Sequence, residues 1–363
     1  MFISNPFRGA FGLDIGDLSI KLVQLHRRAS PFRQAYFSID ETRSISMPPG
    51  YIVNGEIQQP EAVRKKLFHL LGRGGKQKPI KAPWVVADLP EPKTFLKLIE
   101  IDIPPAEIIP DDISYHAKKH IPFEIDSAYL DWQIVNQAED GKSASVLIGA
   151  ANKIIADSYI YLLESVGLTP LALEIEAVAI ARAMITADKD YNGEARAIID
   201  LGAARSGFII YDRGSVQFST NLNFSGELVT MALSQELNLE YADAEKLKIT
   251  NGLTHDKQRP KYLKIVSDLV NNLTEEIKKS IRFYKDHFKE ANPITHLTLC
   301  GGAARLINLD TTLARQLKIS ARPGKVWKNL FNPRINHDGE SQPLASAIGL
   351  ALRAAENPLE DKL

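Results

Sequence analysis

Two short stretches of the sequence carry residue types that could hold a phosphate group and a metal ion. In "GLDIGDLSIK" an apolar run ends in Asp14 and Gly16, and Lys21 follows in a second apolar alternation. In "IIDLGAARSG" the residues Asp200 and Gly202 repeat the arrangement. Glycine lets a turn adopt positive φ, turn amides bind anions, and a carboxylate binds Mg²⁺ through water. Either turn alone could be an ordinary hairpin, but the repetition favours two turns that face one phosphate–metal ligand.

Other candidate chemistry is less specific. The pair Gly301–Gly302 follows the apolar stretch "ITHLTLC" and precedes a predicted helix, whose first amides would also favour an anion. His116 and His120 lie four residues apart, but no third ligand is evident, so we interpret them as surface histidines rather than a zinc site. Cys300 falls in an apolar strand and is predicted to be buried.

Composition excludes several classes of protein. The chain has 363 residues, with 44 Lys and Arg against 44 Asp and Glu, so no net charge attracts it to nucleic acid or to an anionic membrane. The basic stretch "KKSIRFYKDHFK" is therefore interpreted as an amphipathic helix rather than a nucleic-acid site. A single cysteine excludes an intrachain disulfide and fits a reducing compartment. We find neither a signal peptide nor a membrane-spanning stretch, which predicts a soluble, cytoplasmic protein.

The elements that would position these residues form two similar halves. The first half has strands around the first turn, a helix that starts near Pro60, and a strand in "APWVVADLP". An excursion follows, with three strands and an amphipathic helix that is predicted to bury Ile154, Ile155 and Tyr159. After a charged hinge, "DKDYNGE", the strand–turn–strand pattern restarts. A helix of small residues, "PLASAIGLALRAA", could then pack close against a neighbour.

The order of these motifs resembles the actin-like ATPase superfamily and, within it, the branch that contains the PilM family of type IV pilus assembly and the division protein FtsA. The resemblance rests on the two Asp-x-Gly turns, on "AEKLK", "LCGGAARL" and "SAIGLALR", and on the excursion, which matches the 1C subdomain of that branch. The segment "HIPFEIDSAYLDWQIV" is similar to the PilM form of that subdomain. The resemblance implies an α/β, bilobed actin-like ATPase fold of two ribonuclease-H-like lobes, with a 1C-type subdomain inserted in the first lobe.

The resemblance also implies subdomain boundaries. They are 1–93 for the first part of subdomain 1A, 94–168 for 1C, 169–192 for the rest of 1A and the hinge, 193–224 for the first part of 2A, 225–280 for 2B, 281–340 for the rest of 2A, and 341–363 for a C-terminal helix that returns to 1A.

The ligands implied by the resemblance are ATP and Mg²⁺. Asp14 and Asp200 would face the metal. The implied phosphate-binding residues are Gly16, Asp17, Leu18, Lys21, Gly202 and Ala203, and the implied adenosine-binding residues are Glu245, Lys248, Gly301, Gly302 and Ala303. From the residues alone, "AEKLK" would be a solvated helix face. Asp17 stands where the family usually has Ser or Thr, and we expect its carboxylate to oppose phosphate. No residue stands out as a catalytic base, so at most weak ATPase activity is expected.

The partner implied by the family is the short cytoplasmic tail of a PilN-like inner-membrane pilus protein, gripped between subdomains 1A and 1C. We expect Ile121, Pro122 and Phe123 to anchor that tail, although Ile121 and Phe123 could instead close the core of the excursion. The protein would then be a cytoplasmic scaffold held at the inner membrane by its partners, with other pilus components and self-association left open. The alternatives are an FtsA-like division protein, against which the polar end "ENPLEDKL" argues, and a small-molecule kinase.

Overall fold

The computed structural model describes residues 5–30, 33–75, 77–138, 140–187, 189–255, 259–332, 334–335 and 341–359. The strands are β1 (Phe11–Ile15), β2 (Ser19–Ser30), β3 (Arg33–Ser46), β4 (Ile52–Val53), β5 (Glu56–Ile57), β6 (Trp84–Leu89), β7 (Thr94–Ile101), β8 (Ala128–Gln137), β9 (Ala144–Asn152), β10 (Thr169–Ile175), β11 (Ala195–Leu201), β12 (Ser206–Asp212), β13 (Ser215–Leu222), β14 (Ile294–Cys300) and β15 (Ser320–Pro323). The helices are α1 (Pro60–Leu70), α2 (Pro110–Ala117), α3 (Lys153–Ser165), α4 (Glu176–Met184), α5 (Gly226–Leu237), α6 (Tyr241–Asn251), α7 (Pro260–His287), α8 (Leu309–Leu317) and α9 (Ala345–Ala355).

The first sheet has the order β10-β6-β1-β2-β3. Strand β1 is buried along its whole length, as its apolar sequence predicts, and it pairs antiparallel with β2 and parallel with β6. Strand β10 also runs parallel to β6, with Glu174 opposite Asp88. Because the carboxyl ends of parallel strands meet at one edge of a sheet, the residues that follow β1, β6 and β10 lie together there.

The second sheet begins with the same arrangement. Strand β11 pairs antiparallel with β12 and parallel with β14, which places Asp200 opposite Cys300. Cys300 is buried, as predicted. The full order is β15-β14-β11-β12-β13-β7-β9-β8, so the three strands of the excursion extend this sheet. They join it through Phe218 of β13, which pairs with Lys97 of β7.

Helix α9 packs as closely as its small residues predict. A Cβ atom on Gly349 would lie 1.8 Å from the carbonyl oxygen of Ala179 in α4, and one on Gly12 would lie 2.3 Å from the amide nitrogen of Ala351. The two glycines therefore let α9 touch the backbone of both α4 and β1. This contact fixes the start of the first half against the end of the chain.

Several side chains of the excursion differ from the sequence-based expectation. In α3, Tyr159 is fully buried but Ile154 is 77% exposed. Ile154 lies about 140° around the helix from Tyr159, so the two cannot share a face. Ile121 is buried in the core of the excursion and Phe123 packs against it, whereas Pro122 is exposed. Ile121 and Phe123 therefore contribute to that core, which is the alternative that the sequence left open.

Two further findings concern helices. The residues after Gly301 form a short 3₁₀ turn, Gly302–Arg305, where the sequence predicted a longer helix. Among the described residues, no helix combines the length and apolar character that a membrane crossing requires.

Candidate functional site

A cavity of about 140 Å³ lies where the turns after β1 and β11 face each other, and we call it the ligand cavity. Its walls include most of the residues that the sequence singled out: Asp14, Gly16, Asp17, Leu18, Lys21, Asp200, Gly202, Ala203, Gly301 and Gly302. The register of the two sheets thus brings together residues that are nearly 300 positions apart in the chain.

The glycines of the cavity are needed mainly because neighbouring atoms lie very close to them, and less because of unusual backbone torsion angles. Gly301 has φ of +82°, but neither Gly16 nor Gly202 has positive φ, contrary to the expectation for the first turn. A Cβ atom on Gly202 would lie 2.5 Å from the carbonyl oxygen of Arg205, and one on Gly301 would lie 2.6 Å from Asp200 Oδ1. A larger residue at Gly202 would open the turn after β11, and one at Gly301 would collide with Asp200, so the two glycines let the ends of β11 and β14 pack closely beside the cavity.

Three carboxylates gather at the carboxyl edge of the first sheet. One oxygen each of Asp14, Asp88 and Glu176 lies within 4.8 Å of the others. Burial and the charge of Asp14 raise the pKa of Asp88 to about 7, and burial raises the pKa of Glu176 well above its usual range. Burial also raises the pKa of Asp200, which faces the cavity from the second sheet. Oxygen ligands at this spacing suit a divalent cation.

Asp88 and Glu176 were not predicted from the sequence. Asp88 is the next-to-last residue of the buried stretch "WVVADL", and its Oδ1 accepts a hydrogen bond from the amide of Ile15 at 3.0 Å. Glu176 directly follows "TPLALEI" as the first residue of α4. Their signal was an acidic residue at the end of a buried strand, but only the pairing of β1, β6 and β10 shows that these ends converge.

Two cations balance part of this negative charge. Lys21 Nζ lies 2.7 Å from Asp14 Oδ2, and Arg205 Nη1 lies 2.8 Å from Asp17 Oδ1. Burial opposes the charged form of Lys21, but Asp14 outweighs it and raises the pKa of Lys21. Among the described residues that line the cavity, four carboxylates face these two cations. An excess of carboxylates over cations fits phosphate groups that arrive together with a divalent metal.

The carboxylate of Asp17 has partners outside its own turn. Oδ2 accepts a hydrogen bond from the amide of Asn54 at 3.0 Å, and Oδ1 accepts one from the amide of Gly55 at 3.1 Å. Asp17 thus holds the turn between β4 and β5 in addition to Arg205. Sequence reasoning could not find this, because the contacts join residues 37 or more positions apart.

The remaining predicted residues adjoin the cavity at the start of α5. Lys248 Nζ donates to the carbonyl oxygen of Gly226 at 2.8 Å and lies 2.7 Å from Glu245 Oε2. A Cβ atom on Gly226 would lie 3.6 Å from the Cβ of Ala303. Because Gly226 also donates its amide to the carbonyl of Gly202, which lines the cavity, this group lies beside the ligand cavity on the side of α5 and α6.

A second, larger cavity of about 450 Å³ lies between the two sheets, and we call it the groove. In the sheet orders above, β8 and β10 are end strands, and both line it together with α3. Its walls are mainly apolar, with Leu130, Trp132 and Ile160 among them. At one end Glu174 is held by Arg182 at 2.6 Å and by Arg353 at 2.8 Å, and these ion pairs lower the pKa of Glu174 although burial opposes this.

Comparison with known proteins places this architecture among actin-like ATPases. A solved PilM-PilN type IV pilus biogenesis complex matches with 22% identity and a TM-score of 0.80, over 97% of this chain and 100% of that chain. The ethanolamine utilization protein EutJ from Carboxydothermus hydrogenoformans matches with 13% identity and a TM-score of 0.55, over 94% and 88%. MreB5 of Spiroplasma citri bound to AMPPNP matches with 14% identity and a TM-score of 0.54, over 95% of each chain. These matches confirm the predicted mixed α/β fold of the actin-like ATPase type.

Sequence comparison is more specific. The cell division protein FtsA of Buchnera aphidicola subsp. Baizongia pistaciae (strain Bp) is 22% identical over 222 residues, which are 54% of this chain and 52% of that protein. The chain therefore spans about half the length of this curated relative. A family model described as type IV pilus assembly protein PilM matches residues 12–355. Because that model covers nearly the whole sequence, the chain belongs to the PilM family of type IV pilus assembly proteins.

Proposed function

We propose that this chain is a cytoplasmic, nucleotide-binding scaffold of type IV pilus assembly, which binds Mg–ATP in the ligand cavity and the short cytoplasmic tail of a PilN-like inner-membrane protein in the groove. The observation that carries the nucleotide part is the meeting of two glycine turns across a surplus of buried carboxylates. Solved relatives support it, since one MreB5 structure holds AMPPNP.

In this proposal each group around the cavity has a separate role. The turns at Gly16 and Gly202 hold the phosphate groups, and Lys21 adds positive charge beside them. Asp14 and Asp200 face Mg²⁺, which would neutralise phosphate charge when bound. The group at α5 and α6, formed by Glu245, Lys248 and Ala303, faces the adenosine.

The groove supports the partner part of the proposal. Its volume of about 450 Å³ and its mainly apolar walls are typical of a binding pocket. It runs between the end strands β8 and β10, and an extended peptide can bind beside such strands. The matched complex contains PilN as well as PilM. A scaffold bound in this way would be held at the inner membrane by its partner.

Titration calorimetry with Mg–ATP tests the nucleotide site. We expect a dissociation constant in the micromolar range or weaker, and we expect Asp200→Ala to weaken binding by about 1–3 kcal/mol, because a charge-assisted contact is lost. Asp268→Ala, at an exposed position of α7, is the matched control and should leave the affinity unchanged. Equal affinities of the wild type and Asp200→Ala would contradict the assigned site.

A further inference from the structure

An ion pair joins the two turns of the ligand cavity. Arg205 Nη1 lies 2.8 Å from Asp17 Oδ1, and the other terminal nitrogen of Arg205 lies 4.0 Å from Glu176 Oε2. Asp17 follows β1 of the first sheet and Arg205 follows β11 of the second sheet. The pair therefore spans the opening between the sheets, inside the cavity where the proposed function places the phosphate groups.

Each partner of this pair keeps other interactions when the pair opens. Without Arg205, Asp17 still accepts hydrogen bonds from the amides of Asn54 and Gly55. Without Asp17, Arg205 still faces Glu176. Opening the pair therefore leaves neither buried charge alone, which is the main cost of breaking a buried ion pair.

A guanidinium is also well suited to exchange a carboxylate for a phosphate. Its planar fork donates two parallel hydrogen bonds to either group, and a phosphate carries more negative charge than a single carboxylate. Arg205 lines the cavity and follows a tight turn. In this turn, a Cβ atom added to Gly202 would lie 2.5 Å from the carbonyl oxygen of Arg205. The Arg205 carbonyl therefore packs closely against Gly202, which fixes the backbone from which the Arg205 side chain enters the cavity.

We propose, on the basis of the nucleotide site assigned above, that Arg205 breaks its ion pair with Asp17 and binds the terminal phosphate of ATP instead. Asp17 is then a competitor that holds Arg205 in the absence of nucleotide. The residue pair makes the cavity selective for a triphosphate over a diphosphate, because only the terminal phosphate displaces the carboxylate.

The test compares Mg–ATP and Mg–ADP affinities by calorimetry for the wild type, Asp17→Asn, Arg205→Gln and the double variant. We expect Arg205→Gln to weaken Mg–ATP binding about 10- to 100-fold, as expected for a lost charge-assisted hydrogen bond, and to weaken Mg–ADP binding much less. Asp17→Asn should tighten Mg–ATP binding severalfold, and the double variant should resemble Arg205→Gln.

The direction of the two single effects decides the question. If the ion pair only held the two sheets together, Asp17→Asn and Arg205→Gln would both remove it. Both variants would then change the Mg–ATP affinity in the same direction, and that result would overturn the proposal. Arg213→Gln, which breaks the exposed pair with Glu290 at 2.8 Å, is the matched control. Thermal melts establish folding of each variant, and Arg205→Lys replaces Arg205→Gln if the latter is unfolded. Absence of Mg–ATP binding by the wild type would instead refute the nucleotide site itself.

Discussion

Glu176 is the carboxylate of the ligand cavity best placed to act on a water molecule. It begins α4, its oxygen lies within 4.8 Å of oxygens of Asp14 and Asp88, and burial raises its pKa. A carboxylate with a raised pKa is a stronger base once it is ionised, so we propose that ionised Glu176 takes a proton from water beside the nucleotide that the proposed function places here.

We therefore expect Glu176→Gln to lower single-turnover ATP hydrolysis about 100-fold or more, because general-base catalysis contributes that much. The affinity for Mg–ATP should change little, since glutamine preserves the shape of the side chain. Rapid-quench measurement of hydrolysis, with binding measured in parallel, checks both expectations. Unchanged hydrolysis in a variant that binds Mg–ATP would remove Glu176 from the reaction.

At the scale of residues, the sequence predicted the site residues that belong to local motifs. It did not predict the site residues that only strand pairing brings together. Asp14 and Asp200 stand out because a glycine follows each of them at the same spacing. Asp88 and Glu176 carry no such mark, since only the parallel register of β6 and β10 brings them to Asp14. The partners of Asp17 depend in the same way on contacts between distant parts of the chain.

At the scale of elements, the contact between α9 and its neighbours yields a sharp prediction. Gly349→Ala would place a Cβ atom 1.8 Å from the carbonyl oxygen of Ala179, so α9 must move away from α4. We expect a loss of unfolding free energy of about 1–3 kcal/mol or more from overpacking, although alanine is the better helix former. Urea denaturation measures this loss.

The matched control is Gly207→Ala, in strand β12, where a Cβ atom would meet nothing within 4 Å. Gly207→Ala should leave the unfolding free energy within about 0.5 kcal/mol of the wild-type value, as is usual for a change without new contacts. If Gly349→Ala is as stable as Gly207→Ala, the close packing of α9 does not limit stability.

Strands and helices followed the sequence patterns well, and the errors have physical causes. The strands of the excursion are found where their apolar alternation predicted them, at β7, β8 and β9. Their continuity with the second sheet rests on one pair, Phe218 with Lys97, which no local pattern announces. Ile154 is exposed although it is apolar, because it lies about 140° around α3 from the buried Tyr159.

At the scale of the whole molecule, α3 connects the two candidate sites. The hydroxyl of Tyr159 donates a hydrogen bond of 3.1 Å to the carbonyl oxygen of Gly55, in the turn that Asp17 also holds. The same helix lines the groove through Ala156 and Ile160. A partner in the groove and a nucleotide in the ligand cavity would thus contact elements that pack directly on each other.

The groove provides the prediction that tests the pilus partner. Ile160 of α3 lines the groove, and Ile154 of the same helix is 77% exposed on another face. Ile160→Glu places a charge among apolar walls and removes apolar contact area, which should weaken a bound peptide about 10-fold or more. Ile154→Glu makes the same substitution outside the groove and should leave binding unchanged.

The ligand is a synthetic peptide with the sequence of the cytoplasmic tail of the single-span pilus protein encoded beside this gene, and fluorescence anisotropy measures its affinity. Equal affinities of two folded variants would exclude the groove as the docking site, and failure of the wild type to bind the peptide would contradict the PilN-like partner.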